Sequence, residues 1–190
     1  QEFIIWLEGL PEGRKLLARA NRRCEHLKDA DHTFARAIWR RQVEMLTIQS
    51  LAPREAQECS TALEVARFLK THPKVAKVTY PGLPDFPQAR LVKRQMRSGG
   101  ALLTFEAKGG APAGETVMNY FGRKDTPMEL AVSLGSCISY IQHPASMTHA
   151  VVPEADRLAR GITPGLIRLS VGLEGADVLI AHLGRALDLT

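Results

Sequence analysis

Arg168 is the residue whose type and position suggest chemistry most clearly, because it lies in a segment with the alternation of a β-strand. The apolar side of this segment consists of Ile167, Leu169, Val171 and Leu173. The opposite side displays the arginine, whose planar guanidinium can bind a carboxylate through two parallel charge-assisted hydrogen bonds. The residues alone leave two interpretations open: a carboxylate anchor, or an ordinary arginine on the solvent face of a strand.

Ser133 is the second candidate. It lies within Leu130–Leu134, which predicts a short buried strand, and it precedes Gly135. A hydroxyl and the neighbouring backbone amides at such a turn could contact a carboxylate ligand. A serine that only shapes the turn is the alternative.

Cys137, His143 and His149 recur at intervals of six residues, a pattern that raises the question of a metal site. Zinc ligands are typically spaced more tightly, and Pro144 favours an extended backbone at His143. A Cys–His nucleophilic pair would lack an evident third residue to orient the histidine. We therefore predict neither a metal ion nor a catalytic nucleophile in this chain.

Helical and extended patterns alternate through the rest of the chain. Helices are predicted from Pro53 to Thr71, 87–96, 116–121 and 154–160 and after Gly175; strands are predicted at 75–80, 101–107, 130–134 and 166–173. The first of these helices should bury Ala56, Cys59, Leu63, Ala66 and Leu69, and the last should bury Val178, Leu179, His182, Leu183, Ala186 and Leu187. This order predicts an α/β fold with a small sheet of about four strands and helices packed on one side.

The first fifty residues have a different pattern. Apolar residues from Pro11 to Leu27 share one helical stripe, and Asp31 is placed to cap a second helix that contains Trp39 and Val43. Residues 11–48 are thus predicted to form a helical hairpin. We place a domain boundary between a helical segment, 1–50, and the α/β part, 51–190.

Composition excludes several classes of protein. The 190 residues are 45% hydrophobic and 24% charged, which is enough to bury a core. The net charge of +5 is spread along the chain rather than concentrated in a basic arm, and no apolar run approaches the ~18 residues of a membrane span. Three widely separated cysteines argue against a disulfide framework. These features predict a cytoplasmic protein that binds neither nucleic acid nor a membrane.

Five segments, in order, resemble the C-terminal domain of the pyridoxal-phosphate enzymes of cysteine and methionine metabolism, which include cystathionine gamma-lyase, cystathionine gamma-synthase and methionine gamma-lyase. They are His72–Leu83, Lys93–Met96, Ser133–Gly135, His143–His149 and Gly161–Glu174. The resemblance covers about 51–189, and the stretch from Ile141 to His149 is most similar to methionine gamma-lyase.

The resemblance implies the small C-terminal domain of a fold-type I enzyme, preceded by a linking helix. It implies that Arg168 binds the α-carboxylate of an amino-acid substrate such as methionine, cystathionine or a homoserine ester. Ser133 would contact the same carboxylate or the surroundings of the cofactor lysine, and Thr148 would line the pocket, although a hydrogen bond that only fixes its loop is equally consistent. Relatives are commonly oligomers with shared active sites.

The sequence also departs from the family pattern. Pyridoxal phosphate is held there as a Schiff base on a lysine that follows a serine or threonine, and none of the eight lysines here does so. The segment Cys137–Tyr140 stands where relatives usually carry an acidic or polar residue followed by Ser/Thr-Leu. This chain alone is therefore predicted to be inactive and to need a large domain from elsewhere. A non-catalytic remnant or assembly module is the alternative.

Overall fold

The computed structural model describes residues 41–45 and 47–190. The chain divides into two units, Gln1–Leu51 and Ala52–Thr190. In the first unit, residues 41–45 and 47–49 are helical, and most of the predicted hairpin lies outside the described residues. That hairpin, and the domain boundary placed after residue 50, stay predictions.

The second unit contains both helices and strands interspersed along the chain, which confirms the predicted α/β class. The helices are α1 (Leu51–Thr71), α2 (Ala89–Gln95), α3 (Ala111–Phe121), α4 (Glu154–Ala159) and α5 (Ala176–Asp188). The strands are β1 (Val75–Thr79), β2 (Leu102–Ala107), β3 (Met128–Leu130), β4 (Ser139–Gln142) and β5 (Leu166–Ser170). Helix α1 ends at Thr71, as predicted from the proline at position 73, which disfavours helical backbone in the residue before it.

The sheet has five strands in the order β1-β2-β5-β4-β3. The pairs β1–β2, β2–β5 and β5–β4 are antiparallel, and only β3 and β4 run parallel among the described strands. The predicted number of about four is one too few because β4 was not predicted. Its sequence, Ser-Tyr-Ile-Gln, has polar residues at both ends, and both ends are buried.

The predicted buried strand Leu130–Leu134 is wrong in its position and its burial. Strand β3 ends at Leu130, and Val132 and Leu134 are 55% and 59% exposed in the connection to β4. The apolar residues at these positions gave a strand-like pattern, but β3 lies at the edge of the sheet, where the chain leaves it after only three residues.

The core lies between one face of the sheet and three helices. The sheet contributes Leu103, Phe105, Ile141, Ile167 and Leu169, and the helices contribute residues such as Val65, Leu69, Val117, Phe121, Leu179 and Leu183. Helices α2 and α4 have no buried residue. The predicted packing of helices on one side is thus correct, although Ala56 and Val178 are exposed rather than buried.

The opposite face of the sheet is free of helices α1, α3 and α5, and it carries Arg168. Among the described residues, no helix combines the length and hydrophobicity needed to cross a bilayer.

Candidate substrate-binding site

Arg168 lies near the middle of the sheet, on the face away from the core. Its strand, β5, pairs on both sides, so that Arg168 lies opposite Thr104 of β2 and Gln142 of β4. The neighbouring Ile167 and Leu169 are fully buried, while Arg168 is half-buried. The alternation of the sequence therefore directs the guanidinium to the polar face, as predicted.

The guanidinium of Arg168 is held by two uncharged acceptors. Its Nη2 donates to the backbone carbonyl of Ser133 at 3.2 Å. The guanidinium carries only donors, so the amide oxygen of Gln142 must be the atom that faces it, and so oriented it accepts from Nε at 3.1 Å and Nη1 at 3.3 Å. Within the described part of the chain, no carboxylate lies within ion-pair distance of Arg168.

Burial affects the pKa of this arginine. Desolvation lowers the pKa of Arg168 below its ordinary value, because a charged group loses hydration when it is buried. An arginine nevertheless stays charged in proteins. The polar face of the sheet thus holds a half-buried positive charge that the described residues orient without neutralising.

Ser133 contacts Arg168 because the connection between β3 and β4, residues 131–138, folds back over the sheet. At the start of this connection, Ala131 N–H donates to the Ile141 carbonyl at 3.2 Å. In its middle, Gly135 N–H donates to Ser170 Oγ at 3.2 Å. Gly135 has φ +72°, a backbone conformation that favours glycine. The contact to Arg168 uses the backbone carbonyl of Ser133, while the predicted role of its hydroxyl stays a prediction.

The end of this connection is fixed by a set of buried and partly buried polar contacts. Glu174 accepts from the backbone N–H and the hydroxyl of Ser139, each at 2.7 Å, and the Ser139 hydroxyl accepts from Gly172 N–H at 2.7 Å. A Cβ on Gly172 would lie 2.4 Å from the carbonyl oxygen of Cys137. The absence of a side chain at this glycine therefore lets the connection lie directly on the backbone after β5.

Thr148 lies apart from this cluster. It is exposed, in the turns that follow β4, and its hydroxyl is hydrogen-bonded to Nδ1 of the adjacent His149 at 2.8 Å. No hydrogen bond joins it to Arg168 or Ser133 in the described structure. The contact observed is the local one, and the predicted role in a substrate pocket stays a prediction.

His143 is buried and uses both ring nitrogens. Its Nε2 is 2.7 Å from the carbonyl of Pro164 and its Nδ1 is 2.8 Å from Ser146 Oγ. Because a carbonyl only accepts, Nε2 carries the proton. His143 lines a cavity of about 220 Å³. Cys137 is exposed, and its Sγ accepts a hydrogen bond from Arg54 Nη1 at 3.8 Å. No three histidine, cysteine or acidic residues come together as a metal site between 41 and 190, residue 46 aside.

The described residues do not offer the setting that a Schiff-base lysine requires. All six lysines among them are exposed, and none follows a serine or threonine. Such a lysine is normally desolvated, because burial favours the neutral, nucleophilic amine. The site built around Arg168 can bind a carboxylate, but the described residues do not by themselves form a pocket for pyridoxal phosphate.

Comparison with known proteins identifies the family. Residues 42–188 match the family model described as Cys/Met metabolism PLP-dependent enzyme. The chain belongs to this family. The resemblance found in its sequence motifs is thereby confirmed, and the family uses pyridoxal phosphate as its cofactor.

Several relatives in this Cys/Met metabolism family match the same region. An L-methionine gamma-lyase of Porphyromonas gingivalis is 48% identical over 141 residues, which cover 74% of this chain and 34% of the relative. A cystathionine beta-lyase of Coxiella burnetii is 42% identical over 140 residues, covering 74% of this chain and 35% of that protein. The chain thus spans about a third of the length of the curated relatives it matches.

A solved structure confirms the fold. A cystathionine gamma-lyase of Micromonospora echinospora superposes with a TM-score of 0.67 at 38% sequence identity, over 73% of this chain and 35% of that one. The α/β unit is therefore that of the C-terminal domain of this family's fold-type I enzymes.

Two residues of the site were missed by sequence reasoning. Gln142 lies in the stretch Ile141–His149, and Glu174 ends the segment Gly161–Glu174, but neither residue was assigned a role. The register that places Gln142 beside Arg168 is not visible in a linear sequence. The available signal was a polar residue directly after the apolar Ile141, at the end of a short extended segment.

Proposed function

We propose that this chain is the substrate-contacting C-terminal domain of a pyridoxal-phosphate-dependent carbon–sulfur lyase that acts on methionine or cystathionine. In this proposal Arg168 binds the α-carboxylate of the amino acid. The similarity to methionine gamma-lyases and cystathionine lyases supports the substrate class. The cytoplasm is its proposed location, which the free thiols of Cys59 and Cys137 support.

The observation that carries the proposal is the charge of Arg168, which the described residues hold through neutral acceptors alone. Three of the five N–H donors of a guanidinium are used by Gln142 and Ser133. One N–H is left on each of the two terminal nitrogens. Two such donors match the two oxygens of a carboxylate. Every α-amino acid carries an α-carboxylate.

The role of this unit in the reaction is to bind and orient. Fixing the α-carboxylate at Arg168 fixes the amino acid as a whole, and correct orientation can supply several kcal/mol of a reaction barrier. In the family the cofactor supplies the electron sink for the reaction. We propose that its lysine comes from a large domain, in the same assembly or in another copy of the protein, and that this chain alone does not catalyse.

The inactivity of the chain alone is tested by mixing it with pyridoxal phosphate and recording the visible spectrum. We expect no stable, stoichiometric Schiff-base band, because the described lysines are all exposed and lack the sequence context. A band that one lysine substitution abolishes would refute this part of the proposal.

Carboxylate binding is tested by titrating the chain with methionine, with methioninol as the ligand that lacks the carboxylate. Arg168→Lys keeps the charge but loses the paired donors, and we expect it to weaken methionine binding by about 1 to 3 kcal/mol, or about five- to 150-fold. Arg160→Lys, at an exposed arginine after α4, is the matched control. Equal affinity of both ligands for the unmodified chain, or no effect of Arg168→Lys, would contradict the proposed role.

A further inference from the structure

Gln142 is an unusual residue for its position, because it is a long polar side chain that is only 2% exposed. It ends strand β4 and lies directly opposite Arg168 in the register of β4 and β5. A buried amide is stable only when its polar atoms are hydrogen-bonded. Its oxygen meets this requirement on the guanidinium of Arg168, at 3.1 Å from Nε and 3.3 Å from Nη1.

These contacts restrict the arginine in a specific way. An arginine side chain has four freely rotating bonds and loses entropy when one orientation is selected. Gln142 holds the guanidinium through Nε and Nη1, and the Ser133 carbonyl holds Nη2. The guanidinium is thus held from two directions before any ligand binds, so the ligand does not have to supply the ordering.

The chemistry of the amide is as important as its geometry. A carboxylate at position 142 would orient Arg168 equally well, but it would neutralise the charge and compete with an incoming carboxylate. An apolar residue of the same size would leave the charge free but would not orient it. An amide is neutral and accepts hydrogen bonds, and so it combines orientation with an available charge.

We propose that Gln142 is the positioning residue of Arg168, and that it keeps the guanidinium in the orientation that takes the α-carboxylate of an amino acid. This inference rests on the proposed role of Arg168 as carboxylate anchor. Gln142 acts through Arg168 and does not itself touch the substrate.

The first measurement follows Arg168 directly, without any ligand, in the full chain. The Nε–H signal of Arg168 in a ¹H–¹⁵N spectrum is assigned by its loss in Arg168→Lys. We expect it to be sharp and slow to exchange with water, because Nε–H is hydrogen-bonded beside a buried amide. In Gln142→Met, which conserves volume but removes the acceptor, the signal should shift and exchange faster.

The second measurement follows carboxylate binding. We expect Gln142→Met to bind methionine at least tenfold more weakly than the unmodified chain. Gln142→Glu, which has the same shape, should bind more weakly still, although its Arg168 Nε–H stays protected. Binding of methioninol should not change in either variant. Gln95→Met and Gln95→Glu, at an exposed glutamine at the end of α2, are the matched controls.

The outcomes separate the two proposals. If Gln142→Met leaves both the Arg168 signal and the methionine affinity unchanged, the positioning role is refuted while the carboxylate anchor stands. If the unmodified chain does not distinguish methionine from methioninol, the anchor is refuted, and the Nε–H signal alone decides whether Gln142 orients Arg168. If Gln142→Met fails to fold, Gln142→Glu decides, because methionine affinity equal to that of the unmodified chain would overturn the proposal.

Discussion

Gly172 is the position where a single added carbon tests how the binding site is built. A Cβ there would lie 2.4 Å from the Cys137 carbonyl oxygen, 2.6 Å from the carbonyl carbon of Ile138 and 2.7 Å from the backbone nitrogen of Ser139. All three are backbone atoms, which cannot rotate away as the end of a flexible side chain can. In Gly172→Ala the connection of residues 131–138 must therefore move off the sheet.

The cost can be estimated from the contacts that the movement breaks. Overpacking of this kind costs typically about 1 to 3 kcal/mol. For a chain of this size each kcal/mol lowers Tm by about 2 to 4 °C, so we expect a decrease of about 2 to 12 °C. The hydrogen bond of 2.7 Å between Gly172 N–H and Ser139 Oγ is in the same place and should weaken as well.

The assay is thermal unfolding combined with the Nε–H signal of Arg168. We expect Gly172→Ala to shift that signal, because the displaced connection carries the Ser133 carbonyl that accepts from Nη2. Gly122→Ala is the control: Gly122 has φ −70°, and its added Cβ would make an ordinary contact at 3.5 Å. That change should leave Tm unchanged or raise it slightly. If Gly172→Ala unfolds at the temperature of the unmodified chain, the close packing inferred at this glycine is wrong.

Two further predictions concern the core and a buried acid. Leu169→Ala should lower the free energy of unfolding by about 2 to 5 kcal/mol through a cavity beneath β5, measured by denaturant unfolding, and methionine binding to the folded fraction should persist. Loss of binding without loss of stability would contradict the assigned faces of β5. Glu58 is buried, and desolvation first, with the charges of Glu55 and Glu174, raises its pKa above the ordinary value. The folded chain therefore holds this proton more tightly than the unfolded chain, and stability falls as pH rises through that range. Glu58→Gln should raise Tm at neutral pH, and the difference should shrink as the pH is lowered; a pH-independent difference would refute the assignment.

The strands that could be predicted from the sequence are those whose stability depends on apolar alternation. Strand β5 was predicted because the apolar Ile167 and Leu169, which are fully buried, alternate with the charged Arg168, which is half-buried. Strand β4 was not found, because its terminal residues are polar and are stabilised by distant partners. Ser139 depends on Glu174, and Gln142 depends on Arg168. A linear pattern carries no information on such partners, which exist only once the register of β4 and β5 is formed.

The sequence likewise predicted some features of the candidate site and not others. The chemistry of a guanidinium and the alternation around it were sufficient to place Arg168 on the polar face. Ser133 was a candidate because of its position at a turn, and the resemblance gave it a contact with the substrate carboxylate or the surroundings of the cofactor lysine. Its contact with Arg168 was not predicted, and the atom in that contact is the backbone carbonyl, which the residue type does not specify. Thr148 was placed beside the pocket by resemblance, whereas the hydrogen bond observed is to its neighbour His149.

The position of β5 as the third of five strands has a consequence for how the site opens. The backbone of Arg168 is bordered by β2 on one side and β4 on the other, so releasing it requires disruption of the centre of the sheet. The connection that carries Ser133 is largely exposed and can separate from the sheet in a much smaller fluctuation. Hydrogen exchange should therefore differ between two neighbouring segments. The backbone amides of β5 around Arg168 should exchange only on global unfolding. The amides of the connection that carries the Ser133 carbonyl should exchange while the domain stays folded.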